Sequence, residues 1–98
     1  MSNRLFQGVI HQMKDAIDRT IGVVDETSVV SACSELGRIG EVNESITADT
    51  LSATVPFVIN GHTFKSFGSS TRSEHAVFVQ GSDEIAQKYV QLLAVSLS

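Results

Sequence analysis

The sequence predicts a small α+β domain, in which a mostly antiparallel five-stranded sheet is flanked by an N-terminal and a C-terminal helix. An apolar stripe of helical period lies near each end of the chain, and five short β-rich runs separated by turn residues lie between the stripes. The chain has 98 residues, which is the size of one domain, so we expect residues 1–98 to form a single unit. The predicted order of elements is α-β-β-(α)-β-β-β-α.

The first helix is expected from about Arg4 to Thr20, with Ser2 or Asn3 as its N-terminal cap. The apolar residues that recur at helical spacing in this segment are Phe6, Val9, Ile10, Met13, Ala16 and Ile17.

A β-hairpin is expected next, with strands over Ile21–Asp25 and Val29–Ser34. Both runs are rich in β-branched and small apolar residues, and polar residues interrupt them at Asp25–Ser28. This turn lacks the glycine of the common two-residue turns, so the sequence leaves the turn type open.

The segment Leu36–Gly40 is predicted to be a structured loop, because Gly37 and Gly40 disfavour both helix and strand. A short helix is expected within Val42–Ala53. Pro56 ends whatever precedes it, since the residue before a proline avoids the helical region.

Two further strands, Phe57–Ile59 and His62–Phe67, flank Asn60-Gly61, which is the strongest short hairpin signal. The small polar segment Gly68–Ser73 is predicted to be a loop, and His75–Gln80 is predicted to be the last strand.

The last helix is expected from Asp83 to about Ser96, with Ser82 as its N-cap. It carries two rows of side chains, so we expect one row to cover the sheet and the other to cover a partner. The first row is Ile85, Tyr89, Leu92 and Ser96, and the second row is Ala86, Val90 and Leu93.

Composition restricts the possible functions. The formal net charge is −4, and the seven Lys and Arg residues occur singly along the chain. Binding to nucleic acid requires grouped cations that neutralise phosphates, so we expect no direct nucleic-acid contact. Charged residues make up 18% of the chain, below the roughly 25% of an average domain, which favours a homodimer that covers part of the surface.

The single cysteine, Cys33, excludes a disulfide framework and fits a reducing compartment. No apolar run reaches the ~18 residues of a membrane span, and Met1–Gln7 lacks a signal-peptide pattern. We therefore expect a cytoplasmic protein without membrane contact.

Arg38 is the strongest candidate for a binding residue, because it lies between glycines that let a ligand approach the backbone. A guanidinium in such a loop grips a carboxylate or phosphate through two parallel hydrogen bonds. The alternative is a surface arginine in a turn, with Ile39 filling the core.

The segment Gly68–Ser73 is a second candidate, since its hydroxyls, amides and Arg72 suit an oxyanion; the alternative is a solvated hairpin loop. His62, Lys65 and Ser66 are weaker candidates on the neighbouring strand. None of these segments has the lysine and spacing of a phosphate-binding loop, so nucleotide hydrolysis is not expected.

The histidines do not have the local spacing of metal ligands, although His62 and His75 lie on strands that could be neighbours. Ordinary strand histidines are the alternative to such a pair. Cys33, inside an apolar strand, is expected to be buried and inert. No signature of nucleophilic, metal or cofactor catalysis is present, so we expect a binding domain without cofactor and not an enzyme.

The stretch Ala16–Glu26, then Val29–Cys33, then Gly37-Arg38-Ile39-Gly40 resembles the N-terminal sensor domain of bacterial transcription regulators. The family is that of the carbohydrate diacid regulators and the related purine catabolism regulators, and the wider type is the PAS/GAF-like sensor. The resemblance covers roughly Asp15–Gly40.

This resemblance implies a PAS/GAF-like or profilin-like sensor domain whose output domain lies outside residues 1–98. It would bind a small carboxylate-bearing metabolite through Arg38, with backbone support from Ile39 and Gly40, and relay binding through the terminal helices. The same order of elements also resembles the roadblock type of dimeric interaction module, which implies partner scaffolding without a small-molecule ligand.

Overall fold

A computed structural model of the protein describes residues 3–25, 27–42, 55–69 and 72–97. The helices are α1 (Asn3–Met13) and α2 (Glu84–Leu97), and a short 3-10 helix spans Leu36–Arg38. The strands are β1 (Ile21–Val24), β2 (Val30–Cys33), β3 (Phe57–Ile59), β4 (His62–Ser69) and β5 (Arg72–Gln80). They form one antiparallel sheet in the order β2-β1-β5-β4-β3, which confirms the predicted fold class.

Both helices pack on one face of the sheet and form the larger part of the core. Successive side chains of a strand point to opposite faces, so Val77 and Val79 of β5 lie under the helices. The buried residues of this layer include Phe6, Ile10, Ile21, Val23, Ala32, Phe67, Val77, Val79, Ala86, Val90, Leu93 and Leu97.

The opposite face of the sheet carries a second buried cluster. Its members come from four strands, and Phe57 and Ile59 of β3 pack against it in part. The buried members are Val24, Val30, Cys33, Phe64, Ala76 and Phe78. We call this side of the sheet the aromatic face.

The first helix is shorter than predicted, because it ends at Met13 and not near Thr20. The N–H groups of Ala16 and Ile17 both donate to the carbonyl of Met13, at 3.0 and 2.9 Å, so the chain closes into a turn. Ile17 remains buried although it is outside the helix, whereas Ala16 is exposed. The sequence pattern placed the end of α1 too late, because Ile17 is buried by the turn and so matches the apolar spacing of the helix.

Of the two residues predicted to cap α1, the structure describes one. Asn3 is the first residue of the helix. Ser2, the other predicted cap, lies outside the described residues.

The β1–β2 hairpin is confirmed, and its turn is formed without glycine. One carboxylate oxygen of Asp25 accepts hydrogen bonds from the amides of Thr27 and Val29, at 2.9 and 3.1 Å, and from the Thr27 hydroxyl at 2.7 Å. Ser28 takes the left-handed conformation, with φ of 69°. Burial raises the pKa of Asp25, but these hydrogen bonds outweigh it and the pKa is lowered.

Two segments predicted to be loops contain regular secondary structure. Gly68 and Ser69 belong to β4 and pair with Ser73 and Arg72 of β5, so the predicted loop over residues 68–73 is wrong at its ends. The register shifts after Phe67, which lets the small residues continue the ladder. The Leu36–Gly40 segment begins as a 3-10 helix. Apart from Val42, the helix predicted within residues 42–53 lies outside the described residues.

The helix α2 agrees with the predicted bounds, but its cap is Asp83 and not Ser82. The Ala86 amide donates to Oδ1 of Asp83 at 3.2 Å. The row formed by Ala86, Val90 and Leu93 is buried against the sheet. In the other row, Ile85 and Leu92 are exposed, as is the adjacent Val95, and Tyr89 is packed against the core in part.

The cap of α2 is tied to the segment before β1 by a bidentate ion pair. The Arg19 guanidinium donates to both carboxylate oxygens of Asp83, at 2.6 and 2.8 Å. The hydrogen bond from Arg19 and that from the Ala86 amide hold the pKa of Asp83 far below its ordinary value. In the described part of the chain, no helix has the length and apolar character needed to cross a bilayer.

We expect Asp83→Asn to destabilise the protein at neutral pH and to have a smaller effect in acid. A carboxyl whose pKa is lowered by folding stabilises the fold above its unfolded pKa of about 4, and this contribution is lost as the pH falls through the folded value. Asparagine still caps a helix, so the variant mainly removes the ion pair. Thermal unfolding at pH 7 and pH 3 measures this, with Asp15→Asn as a control; an equal difference at both pH values contradicts it.

Candidate functional site

The aromatic face is built on a close approach between β1 and β5. Gly22 pairs with Phe78, and a Cβ atom at Gly22 would lie 2.5 Å from Cζ of Phe78 and 2.7 Å from the carbonyl oxygen of Ala32. The Phe78 ring therefore lies over β1 in the space that a side chain at residue 22 would take.

Aromatic rings continue from Phe78 across the face to the edge strand. Phe64 lies 5.6 Å from Phe78 between ring centroids, and Phe57 stacks on Phe64 at 5.5 Å with an interplanar angle of 6°. His62 meets the Phe78 ring edge-on at 5.7 Å. Such contacts stabilise one arrangement of the rings beyond simple burial, so the face is a rigid support.

Arg38 lies over this support. Its guanidinium carbon is 5.9 Å from the centroid of Phe78, within the range of a cation–π contact. Its Nε donates to a carboxylate oxygen of Glu41 at 3.3 Å, and the side chain is 32% exposed. Among the residues that the structure describes, Nη1 and Nη2 of Arg38 have no hydrogen-bond acceptor.

The loop that carries Arg38 is held against the edge of the sheet. The Gly40 amide donates to the carbonyl of Val30, and the Val30 amide donates to the carbonyl of Glu41, both at 2.8 Å. Gly40 has φ of 95°, a conformation that favours glycine and turns the chain back toward β2. The loop therefore fixes the backbone below Arg38.

The resemblance implied backbone support for a ligand at Ile39 and Gly40, and the structure shows where these two amides donate. The Ile39 amide donates to the carbonyl of Leu36 at 3.2 Å, and the Gly40 amide is used by Val30. Both donors are taken within the protein, so a ligand at Arg38 would rely on side chains. Ile39 is also 42% exposed, which contradicts the alternative in which it fills the core.

The other predicted site residues divide into two groups. His62 and Ser66 lie on the same face as Arg38, since residues two apart on β4 share a face. Lys65 lies between them and belongs to the opposite face. Arg72 pairs with Ser69 at the far end of the hairpin, seven residues along β4 from His62 or about 23 Å, so the structure does not bring it near Arg38.

The histidine pair considered from the sequence is not formed. His62 pairs with Gln80 and lies on the aromatic face, whereas His75 pairs with Phe67 and contacts Phe6 on the helix side, with 4.9 Å between ring centroids. Within the described residues, no group of three or more His, Cys, Asp or Glu side chains is suited to hold a metal ion.

Cys33 is buried, as predicted, and burial raises the pKa of its thiol. Its backbone is paired by the side chain of Gln7, which donates to the Cys33 carbonyl at 3.2 Å and accepts from its amide at 3.0 Å. The amide of Gln7 thus covers part of the free edge of β2.

Sequence reasoning missed the residues that support the site, namely Gly22, Phe78 and Glu41. A glycine inside a β-branched run is a signal for close approach of another group, but it does not identify that group. Glu41 follows Arg38 by three residues, which is suitable spacing for an ion pair across one turn.

The site therefore consists of one guanidinium, an aromatic ring beneath it and a carboxylate beside it. Such a guanidinium can bind a planar oxyanion by donating two parallel hydrogen bonds from Nη1 and Nη2.

No protein-family model matches the chain, and no curated protein matches its sequence.

Proposed function

We propose that the chain is the sensor domain of a transcription regulator, and that it binds a small carboxylate-bearing metabolite at Arg38. The observation that carries this proposal is that Phe78 and Glu41 contact the Arg38 guanidinium, while no other described residue accepts a hydrogen bond from its Nη1 and Nη2. Two parallel N–H donors match the geometry of a carboxylate. The proposed role is binding and not catalysis, with no cofactor.

The central strand offers a route from this site to the terminal helices. Phe78 of β5 lies under Arg38, while its neighbours Val77 and Val79 are fully buried in the core beneath the helices. A ligand that draws Arg38 away from Phe78 changes the packing of a strand that the helices share. Relay through the helices to an output domain, in a homodimeric protein, is part of the proposal.

We expect Arg38→Ala to weaken binding of small carboxylic acids by about ten- to hundredfold. Hydrogen bonds to charged groups contribute about 1.5–3 kcal/mol, and the variant removes both donors. Thermal-shift screening with acetate, hexanoate, benzoate, succinate and adipate, followed by calorimetric titration, measures the effect. Lys14→Ala removes one positive charge from the exposed turn after α1 and should bind as the wild type does. If the acids still raise the unfolding temperature of Arg38→Ala as they do that of the wild type, the proposed contact is contradicted.

The alternative is a roadblock-like dimeric interaction module without a small-molecule ligand. It is favoured by the apolar side chains of Ile85, Leu92 and Val95, which are exposed to solvent on α2. A dimer that binds none of the screened acids would support this alternative.

A further inference from the structure

The surroundings of Arg38 carry more negative than positive charge. Glu41 already contacts Nε of Arg38, at 3.3 Å. Glu35 begins the same loop and accepts a hydrogen bond from the Thr20 hydroxyl at 2.6 Å. Both carboxylates lie within three residues of one guanidinium, so a second ligand carboxylate here would meet repulsion.

The other cations of the chain lie elsewhere. Arg19 is bound by Asp83, Lys65 belongs to the opposite face, and Arg72 is at the far end of the β4–β5 hairpin. The remaining Lys and Arg residues belong to other elements, since Arg4 is in α1, Lys14 directly follows α1 and Lys88 is in α2. Residues 43–54 contain no Lys, Arg or His in the sequence. His62 also contacts the Phe78 ring, at 5.7 Å between ring centroids, and its Nδ1 lies 3.1 Å from the carbonyl oxygen of Asn60.

Exposed apolar side chains flank Arg38 in the sequence. Leu36 is 67% exposed and Val42 is 63% exposed, and Ile39 lies between them. Ile39 caps the 3-10 helix that begins at Leu36, and its amide donates to the carbonyl of Leu36 at 3.2 Å, so the two residues lie one turn apart. Large apolar side chains at this exposure gain from contact with an apolar ligand.

We propose that the ligand is an acid with a single carboxylate on an apolar body, and not a diacid. The carboxylate pairs with Nη1 and Nη2 of Arg38, and the apolar body lies against Leu36, Ile39 and Val42. This inference rests on the proposed function, since it requires Arg38 to bind a carboxylate. It adds that the ligand has one negative charge, because Arg38 is the one Lys or Arg side chain that the described residues bring to the Phe78 ring.

Two pairs of acids matched in carbon skeleton test this on the 98-residue chain: hexanoate against adipate, and benzoate against terephthalate. We expect the monoacid of each pair to bind at least about tenfold more tightly in calorimetric titration. Leu36→Ser and Val42→Ser should each weaken hexanoate binding about threefold or more and leave acetate binding nearly unchanged. Val58→Ser, at an exposed position of β3, is the matched control and should change neither.

A gain of charge gives the opposite test. Ile39→Lys places a second cation beside Arg38 and should raise adipate affinity relative to hexanoate by about tenfold. Lys88→Gln removes a positive charge from an exposed position of α2, outside the site, and should leave the preference for monoacids unchanged.

The outcomes separate this inference from the proposed function. Diacids that bind as tightly as monoacids, in a manner abolished by Arg38→Ala, overturn the inference and leave the sensor proposal standing. If no acid of either kind binds the folded chain, or if binding is independent of Arg38, both are overturned.

Discussion

Gly22→Ala is expected to destabilise the fold by about 2–3 kcal/mol and to abolish acid binding at Arg38. The added Cβ atom would lie 2.5 Å from the Phe78 ring and 2.7 Å from the backbone oxygen of Ala32. The ring cannot move away freely, because Phe64 and His62 pack against it. Overpacking of a filled core costs this amount, which is a large part of the ~5–15 kcal/mol that stabilises a domain.

The midpoint of thermal unfolding measures this effect, and we expect it to fall by about 10 °C. Gly37→Ala is the matched control, because nothing lies within 4 Å of a Cβ atom there; its stability should change by less than about 0.5 kcal/mol. Wild-type stability in Gly22→Ala would mean that Phe78 does not lie across β1, and the support for Arg38 would be lost with it.

The fold could be predicted because its signals are local. Asn60-Gly61 fixes the β3–β4 turn, and both residues take positive φ as this hairpin requires. The β1–β2 turn was harder, since it forms without glycine: Asp25 accepts hydrogen bonds from the amides of Thr27 and Val29, and Ser28 takes a positive φ. The end of α1 was misplaced because Ile17 keeps the helical period while the chain already turns toward the sheet.

The site was only partly predictable. Arg38 was identified from the glycines around it, but its two contacts come from different parts of the chain. Glu41 is local in sequence, whereas Phe78 lies forty residues away and reaches Arg38 through strand pairing with Gly22. Arg72 was also a candidate from the sequence, but the register of the β4–β5 hairpin places it about 23 Å from His62 and therefore away from Arg38. Register across the sheet decides which polar residues share a site.

Leu93→Ala is expected to destabilise the domain by about 2–5 kcal/mol, whereas Leu92→Ala should change its stability by less than about 0.5 kcal/mol. The two leucines are adjacent on α2, but Leu93 is fully buried against the sheet and Leu92 is 62% exposed. Removal of a buried leucine side chain loses its transfer free energy and leaves a cavity. Leucine and alanine have similar helix propensities, so α2 itself tolerates both changes.

Leu92→Ala should instead reveal the surface proposed for the second copy. If Ile85, Leu92 and Val95 form the dimer contact, Leu92→Ala shifts the protein toward monomer in light scattering while circular dichroism and the unfolding midpoint of the monomer stay the same. An unchanged dimer would place the contact elsewhere. A loss of stability equal to that of Leu93→Ala at every protein concentration would show that Leu92 belongs to the core. The pair of variants thus separates the row of α2 that packs against the sheet from the row that is proposed to contact a second copy.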